Sequence, residues 1–171
     1  MPRTRILKIT LFVAALLAIA TTTVLSAPRN FRTHLSGQFE VPLRETQAQG
    51  QAIFQLSGGG DALQYKLIVA NIENVVASHI HLGPPDENGP VVAFLYGPAS
   101  AGGGRFDGVL AEGTITAANL VGPLAGQGLD ALIDAIEEGN AYVNVHTNDG
   151  IDPTNTGPGD FPGGEIRGNL P

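Results

Sequence analysis

The sequence predicts an all-β domain of about eight short antiparallel strands, closed as a two-sheet sandwich or a barrel, with one short helix. Three observations predict it. Segments rich in β-branched and aromatic residues recur along the chain, separated by glycine, proline and asparagine. Within these segments apolar and polar residues alternate, as in a strand with one face in a core. Only Leu129, Leu132, Ile133 and Ile136 depart from that period, falling at i, i+3, i+4 and i+7 on one helical stripe.

The chain opens with Arg3, Arg5 and Lys8, runs through a largely apolar stretch from Ile9 to Ala20, and reaches small and polar residues from Thr21 to Ala27. This is the order of a secretory signal peptide. An apolar run of about a dozen residues falls short of the roughly 20 that a spanning helix needs. Val24 and Ser26 occupy the selective positions for a cut after Ser26, whereas a cut after Ala27 would leave Pro28 just beyond it. The expectation is a signal peptide over residues 1–26, no membrane anchor after cleavage, and one secreted or periplasmic domain over residues 27–171.

The chain has no cysteine. Lipid-modified export, a disulfide framework and a thiolate metal site are therefore excluded. Without the three basic residues of the leader, six Lys and Arg stand against sixteen Asp and Glu, a formal charge of −10 for the mature chain. Nucleic acid and anionic membranes are bound through positive clusters, so neither is an expected partner.

In chain order the expected strands are Phe31–Ser36, Gly50–Ser57, Ala62–Ala70, Ala77–Leu82, Val91–Tyr96, Val109–Thr116, Ala141–Thr147 and Glu165–Leu170. Gly58, Gly59, Gly60 and Asp61 make the second and third a hairpin, since glycine supplies the positive φ that a tight turn requires. The expected core is Ile53, Leu67, Val69, Ile80, Val143, Val145 and Ile166. The helix is expected over residues 129–138, bridging two strands, with Gly139 at its C-cap. Gly102–Gly104 and the stretch from Asn148 to Gly164 read as loops. The second holds Asp149, Asp152 and Asp160, but not in the order of a calcium loop, and is expected to be a solvated, turn-rich segment.

Alternation puts His79 and His81 on one side of their strand, with Ile80 and Leu82 on the other. In the strand Ala141–Thr147 it puts Tyr142, Asn144 and His146 opposite Val143 and Val145. Each histidine strand therefore has an apolar face for the core, and its histidines point the other way. The last strand alternates Ile166 and Leu170 with Glu165, Arg167 and Asn169, so its polar face meets the histidines if it pairs with the strand of His146.

These residues carry a family resemblance. Ala77-Ser-His-Ile-His-Leu-Gly83, Gly89-Pro-Val-Val92, Gly139-Asn-Ala-Tyr-Val-Asn-Val-His-Thr147 and Gly164-Glu-Ile-Arg-Gly168, in this order, resemble the CHRD domain, over essentially all of Phe31 to Leu170. That domain is a unit repeated in chordin and found singly in exported microbial proteins. The resemblance implies a Greek-key-like β-sandwich and an extracellular structural or protein-interaction module, with little chemistry. The stretch between Thr147 and Gly163 is longer than the short connection usual in the family. His79, Ile80 and His81 alone are similar to the His-x-His copper strand of copper–zinc superoxide dismutase, but the disulfide cysteines and the zinc-loop histidines are missing.

Two readings of the histidines stay open. In one, His79, His81 and His146 converge on a metal ion, copper or zinc, because imidazole nitrogen suits both and no sulfur is available. In the other, they hydrogen-bond to one another, to Glu165, to Thr147 or to backbone carbonyls, and fix the packing of two strands. His34 is expected to be a surface histidine. Glu165 and Arg167 are expected to bridge to another strand, Arg167 being the alternative anchor for a ligand carboxylate. No Ser or Thr sits in a nucleophile-elbow sequence, so an enzyme is not expected. An undefined redox or hydrolytic activity remains as an alternative, and an extracellular protein is the partner class implied.

Overall fold

The computed structural model describes residues 29–171, so the expected leader lies outside the described residues. Eight strands run in chain order: β1 (Asn30–Ser36), β2 (Gln49–Leu56), β3 (Leu63–Glu73), β4 (Val75–Leu82), β5 (Val91–Tyr96), β6 (Arg105–Ile115), β7 (Ala141–Thr147) and β8 (Ile166–Asn169). One α-helix, α1 (Leu129–Glu137), precedes β7. The domain is antiparallel and mostly β, as the sequence predicts.

All eight strands belong to one sheet in the order β5-β4-β7-β8-β1-β2-β3-β6. The sheet curls over on itself until its two edge strands, β5 and β6, approach each other. Tyr65 on β3 spans this seam, its hydroxyl donating to the Leu95 carbonyl on β5 at 2.8 Å. The result is a nearly closed sandwich made by folding a single sheet. The first three strands form a meander, and the chain then crosses to β4 through Asn74, whose φ of 55° turns it sharply.

Turn chemistry accounts for the local boundaries. Between β2 and β3, Gly60 takes a φ of 76° and Ser57 N–H donates to Ala62 O at 2.8 Å. At the end of α1, Gly139 adopts a φ of 71° and its N–H donates to Ile136 O at 3.0 Å, a left-handed cap that an L-residue with a Cβ resists. Leu129, Leu132, Ile133 and Ile136 are all buried, so the helical stripe joins the core beside β7.

One core expectation is overturned. Leu67, Val69, Ile80, Val143, Val145 and Ile166 are buried, but Ile53 is 38% exposed. On β2 the buried residues are Gly50, Ala52, Phe54 and Leu56, the opposite parity. Ile53 and Phe54 are adjacent apolar residues, and the pairing with β1 decides between them: Phe31 lies across from Phe54, and Leu35 from Gly50. The larger ring goes inside. Gly50 is small because the Ile166 side chain and the Ile68 carbonyl fill the space where its Cβ would stand.

Candidate metal centre

The register brings the histidine strands together. On β4 and β7, Ala77 pairs with His146, His79 with Asn144 and His81 with Tyr142. β8 pairs with β7 on its other side, Arg167 standing across from Asn144. One face of three adjacent strands therefore carries three histidines, Tyr142, Asn144, Arg167 and Asn169.

His79, His81 and His146 each offer a ring nitrogen, and these atoms lie within 4.8 Å of one another. His79 Nδ1 is 3.0 Å from His146 Nε2. The His81 ring is 5.6 Å from His79 and 6.1 Å from His146, centroid to centroid. Exposed Phe94 stands edge-on to His79 at 4.9 Å, on the outer side of the group.

Two backbone carbonyls set the tautomers. His81 Nδ1 is 2.8 Å from Gly89 O, and His146 Nδ1 is 2.8 Å from Pro162 O. A carbonyl only accepts, so each Nδ1 carries the proton and each Nε2 presents a lone pair. His79 then donates its Nδ1 proton to His146 Nε2. Gly89 reaches His81 because it is glycine: a Cβ there would collide with the Leu82 carbonyl. That is the physical content of the Gly89-Pro-Val-Val92 motif.

All three imidazoles are held neutral. Burial pushes His79 down to about 4, helped by the neighbouring His146 and His81. Burial also lowers His81, against the opposing Gly89 hydrogen bond, and lowers His146, against that of Pro162.

Glu165 and Arg167, expected to bridge to another strand, are both fully buried, and they bond to loops and neighbouring residues of the strands rather than to each other. Thr46 Oγ1 donates to Glu165 Oε1 at 2.6 Å, while Thr147 Oγ1 and Gly159 N donate to Oε2 at 2.7 and 2.9 Å. Arg167 gives its N–H groups to Asn169 Oδ1 at 2.9 Å, Glu87 O at 2.9 Å and Pro84 O at 2.7 Å. Its guanidinium lies 3.4 Å from the Tyr142 ring centroid. With its donors spent on its own chain, Arg167 is a strut for the 84–88 loop, and the ligand-carboxylate role has no free fork to use. Residues of the same strand face thus became loop anchors because loops close over them.

His34 is exposed on β1 and stands apart from the histidine group. The loop aspartates do not gather either. Asp149 caps Ile151 N, and Asp160 Oδ2 accepts from Thr156 N at 3.0 Å and Oγ1 at 2.9 Å. Among the described residues, His79, His81 and His146 are the one group of three or more His, Cys, Asp or Glu that converges within metal-binding range.

Sequence reasoning did not single out Glu40, which is buried beside Gly164, where a Cβ would strike its carboxyl group. Burial raises its pKa to about 7, against the lowering influence of Arg167 and Arg44. An acidic residue between apolar neighbours carries no sign of such burial, although the glycine at 164 in the motif is its counterpart.

No helix among the described residues is long and apolar enough to cross a membrane. No curated protein and no solved structure matches the chain. The family model of the CHRD domain matches residues 31–170, a span that includes all eight strands but for the first residue of β1, and the histidine centre with its carbonyl anchors. The chain therefore belongs to the CHRD domain family.

Proposed function

We propose that this CHRD protein is an extracellular structural or protein-interaction module that holds one copper or zinc ion through His79, His81 and His146, and that it is not an enzyme. The observation that supports the metal is the placement of His81 Nδ1 and His146 Nδ1 against backbone carbonyls. These carbonyls accept at Nδ1, leaving each Nε2 as the free lone-pair donor, and one ring nitrogen of each of the three histidines lies within 4.8 Å of the others. Orienting a ligand imidazole by a hydrogen bond to its other nitrogen is the usual outer support of a metal site.

An ion held by the trio would take the lone pairs of His79 Nδ1 and His146 Nε2, with the His79 ring in the tautomer that carries its proton on Nε2. Ligands at about 2.0–2.1 Å from an ion stand about 3.3–3.6 Å apart, so the widest pair closes by no more than about 1.5 Å. Neutral imidazoles at pH 7 bind without first losing a proton. Support for a non-catalytic role comes from Glu165, whose oxygens are taken by Thr46, Thr147 and Gly159 rather than by a histidine. Family membership and the leader pattern support export, and the partner is an extracellular protein.

Metal analysis of exported protein purified without chelator tests the reading. Close to one equivalent of copper or zinc is expected, and none in a folded His81→Ala variant. Wild-type protein that is metal-free and takes up neither added Cu2+ nor Zn2+ would leave the histidines as packing groups. Export is tested on the same material: its N-terminus should lie within a few residues of Ala27, and Met1 still attached would refute cleavage.

A further inference from the structure

Asn144 stands at the crossing of the histidine face. It pairs with His79 across β4 and with Arg167 across β8, and shares its own strand face with Tyr142 and His146. It is only 3% exposed, yet its Oδ1 has no hydrogen-bond partner. His81 Nε2 is likewise buried and without a partner, and the Asn144 side chain lies beside that ring. Both atoms are lone-pair donors, since the His81 proton is spent on Gly89 O. Two bare lone pairs side by side in a buried place repel, and a cation between them turns the repulsion into attraction.

We propose that Asn144 Oδ1 is a fourth donor to the centre, making a set of three imidazole nitrogens and one amide oxygen, and that the resident ion is therefore divalent. The proposal rests on the reading of the three histidines as a metal centre. An amide oxygen is a hard, neutral ligand that favours a doubly charged ion, whereas Cu+ gains little from it beyond three imidazoles. The competing arrangement turns the amide over, so that Nδ2 donates to His81 Nε2 and withdraws that nitrogen from the trio.

The experiment titrates chelator-stripped exported protein with Zn2+, with Cu2+, and with Cu+ under anaerobic conditions, comparing wild type, Asn144→Leu and Asn144→Asp. Circular dichroism of each metal-free protein controls for folding. Asn144→Leu should weaken Zn2+ about 10–100-fold while leaving Cu+ affinity unchanged, and should alter the Cu2+ electron-spin resonance spectrum from a three-nitrogen, one-oxygen pattern. Asn144→Asp, which puts a charged oxygen in the same place, should tighten Zn2+. Equal Zn2+ affinity and an identical Cu2+ spectrum in wild type and Asn144→Leu would overturn the fourth ligand while leaving the trio standing. Wild-type protein that binds none of the three ions would instead overturn the metal centre itself. Should Asn144→Leu not fold, Asn144→Asp carries the test: tighter Zn2+ at unchanged Cu+ supports the ligand, and unchanged Zn2+ refutes it.

Discussion

The outer face of the sheet has two halves with opposite surroundings. Over β2, β3 and β6 it lies in water: Gln49, Gln51, Ile53 and Gln55 are exposed, in strict alternation with buried neighbours. Over β4, β7 and β8, loops close on it, and β7 is buried at every position but His146, which is half-buried. The loops are tied down by polar contacts: Arg167 to Pro84 and Glu87, His81 to Gly89, His146 to Pro162, and Arg44 to Gly164. One sheet thus has an apolar core inside its fold and a polar core outside one half. Groups in such a place are satisfied by partners or costly, so unpaired lone pairs there point to chemistry.

The largest expected effect breaks the comparison at its strut. Arg167→Met should cost about 3–5 kcal/mol, because it strips the Pro84 and Glu87 carbonyls and Asn169 Oδ1 of their donor in a buried place, at about 1–3 kcal/mol for each unsatisfied group. The exposed Lys66–Glu112 pair at 3.2 Å, on the watery half, should lose no more than about 0.5 kcal/mol in Lys66→Ala. Urea unfolding measures both. Similar losses for the two variants would mean that the loop-covered half is no more dependent on its polar groups than the open one.

The pH dependence of metal-free protein gives an intermediate effect. His79, pushed down to about 4 by burial, favours the fold when neutral; that contribution is present above about 6.5 and is lost as pH falls toward 4. Glu40, raised to about 7 by burial, behaves oppositely: its contribution is present below about 4.5 and is lost as pH rises through 7. The two windows overlap and offset each other, so the melting temperature should be nearly level between about pH 4.5 and 6.5 and fall below and above that range. Glu40→Gln should abolish the upper fall and, with its offset to His79 gone, leave a melting temperature that keeps rising from about pH 4 to about 6.5. An upper fall unchanged by that substitution would show that Glu40 is not the group that titrates there.

The smallest effect sharpens the contrast on β2. Ile53→Thr should change stability by about 0.5 kcal/mol or less, whereas Phe54→Ala should cost about 3–5 kcal/mol. Thermal melts of the pair decide the register, because a slip of one residue would exchange the two results.

Much of this was legible before any coordinates. The helix shows itself in Leu129, Leu132, Ile133 and Ile136, followed by Gly139, because a periodic stripe and its cap are local signals. The facing of His79, His81 and His146 follows from parity alone, since a strand has only two sides. Parity failed at Ile53 and Phe54, where neighbours are both apolar and only the partner strand chooses. It was silent on Glu165 and Arg167: alternation reads a polar residue as solvated, and nothing near them announces a covering loop.

The sequence by itself determined the strands, the single helix and the side of its own strand on which each histidine stands, because backbone period and turn chemistry act over a few residues. The tertiary structure decided that this face would be roofed, that Gly89 and Pro162 would hold the imidazole protons, and that Asn144 would be left buried with a bare oxygen. Those outcomes join residues far apart in the chain, such as Arg167 and Pro84, and depend on the desolvation that arises only when the loops close.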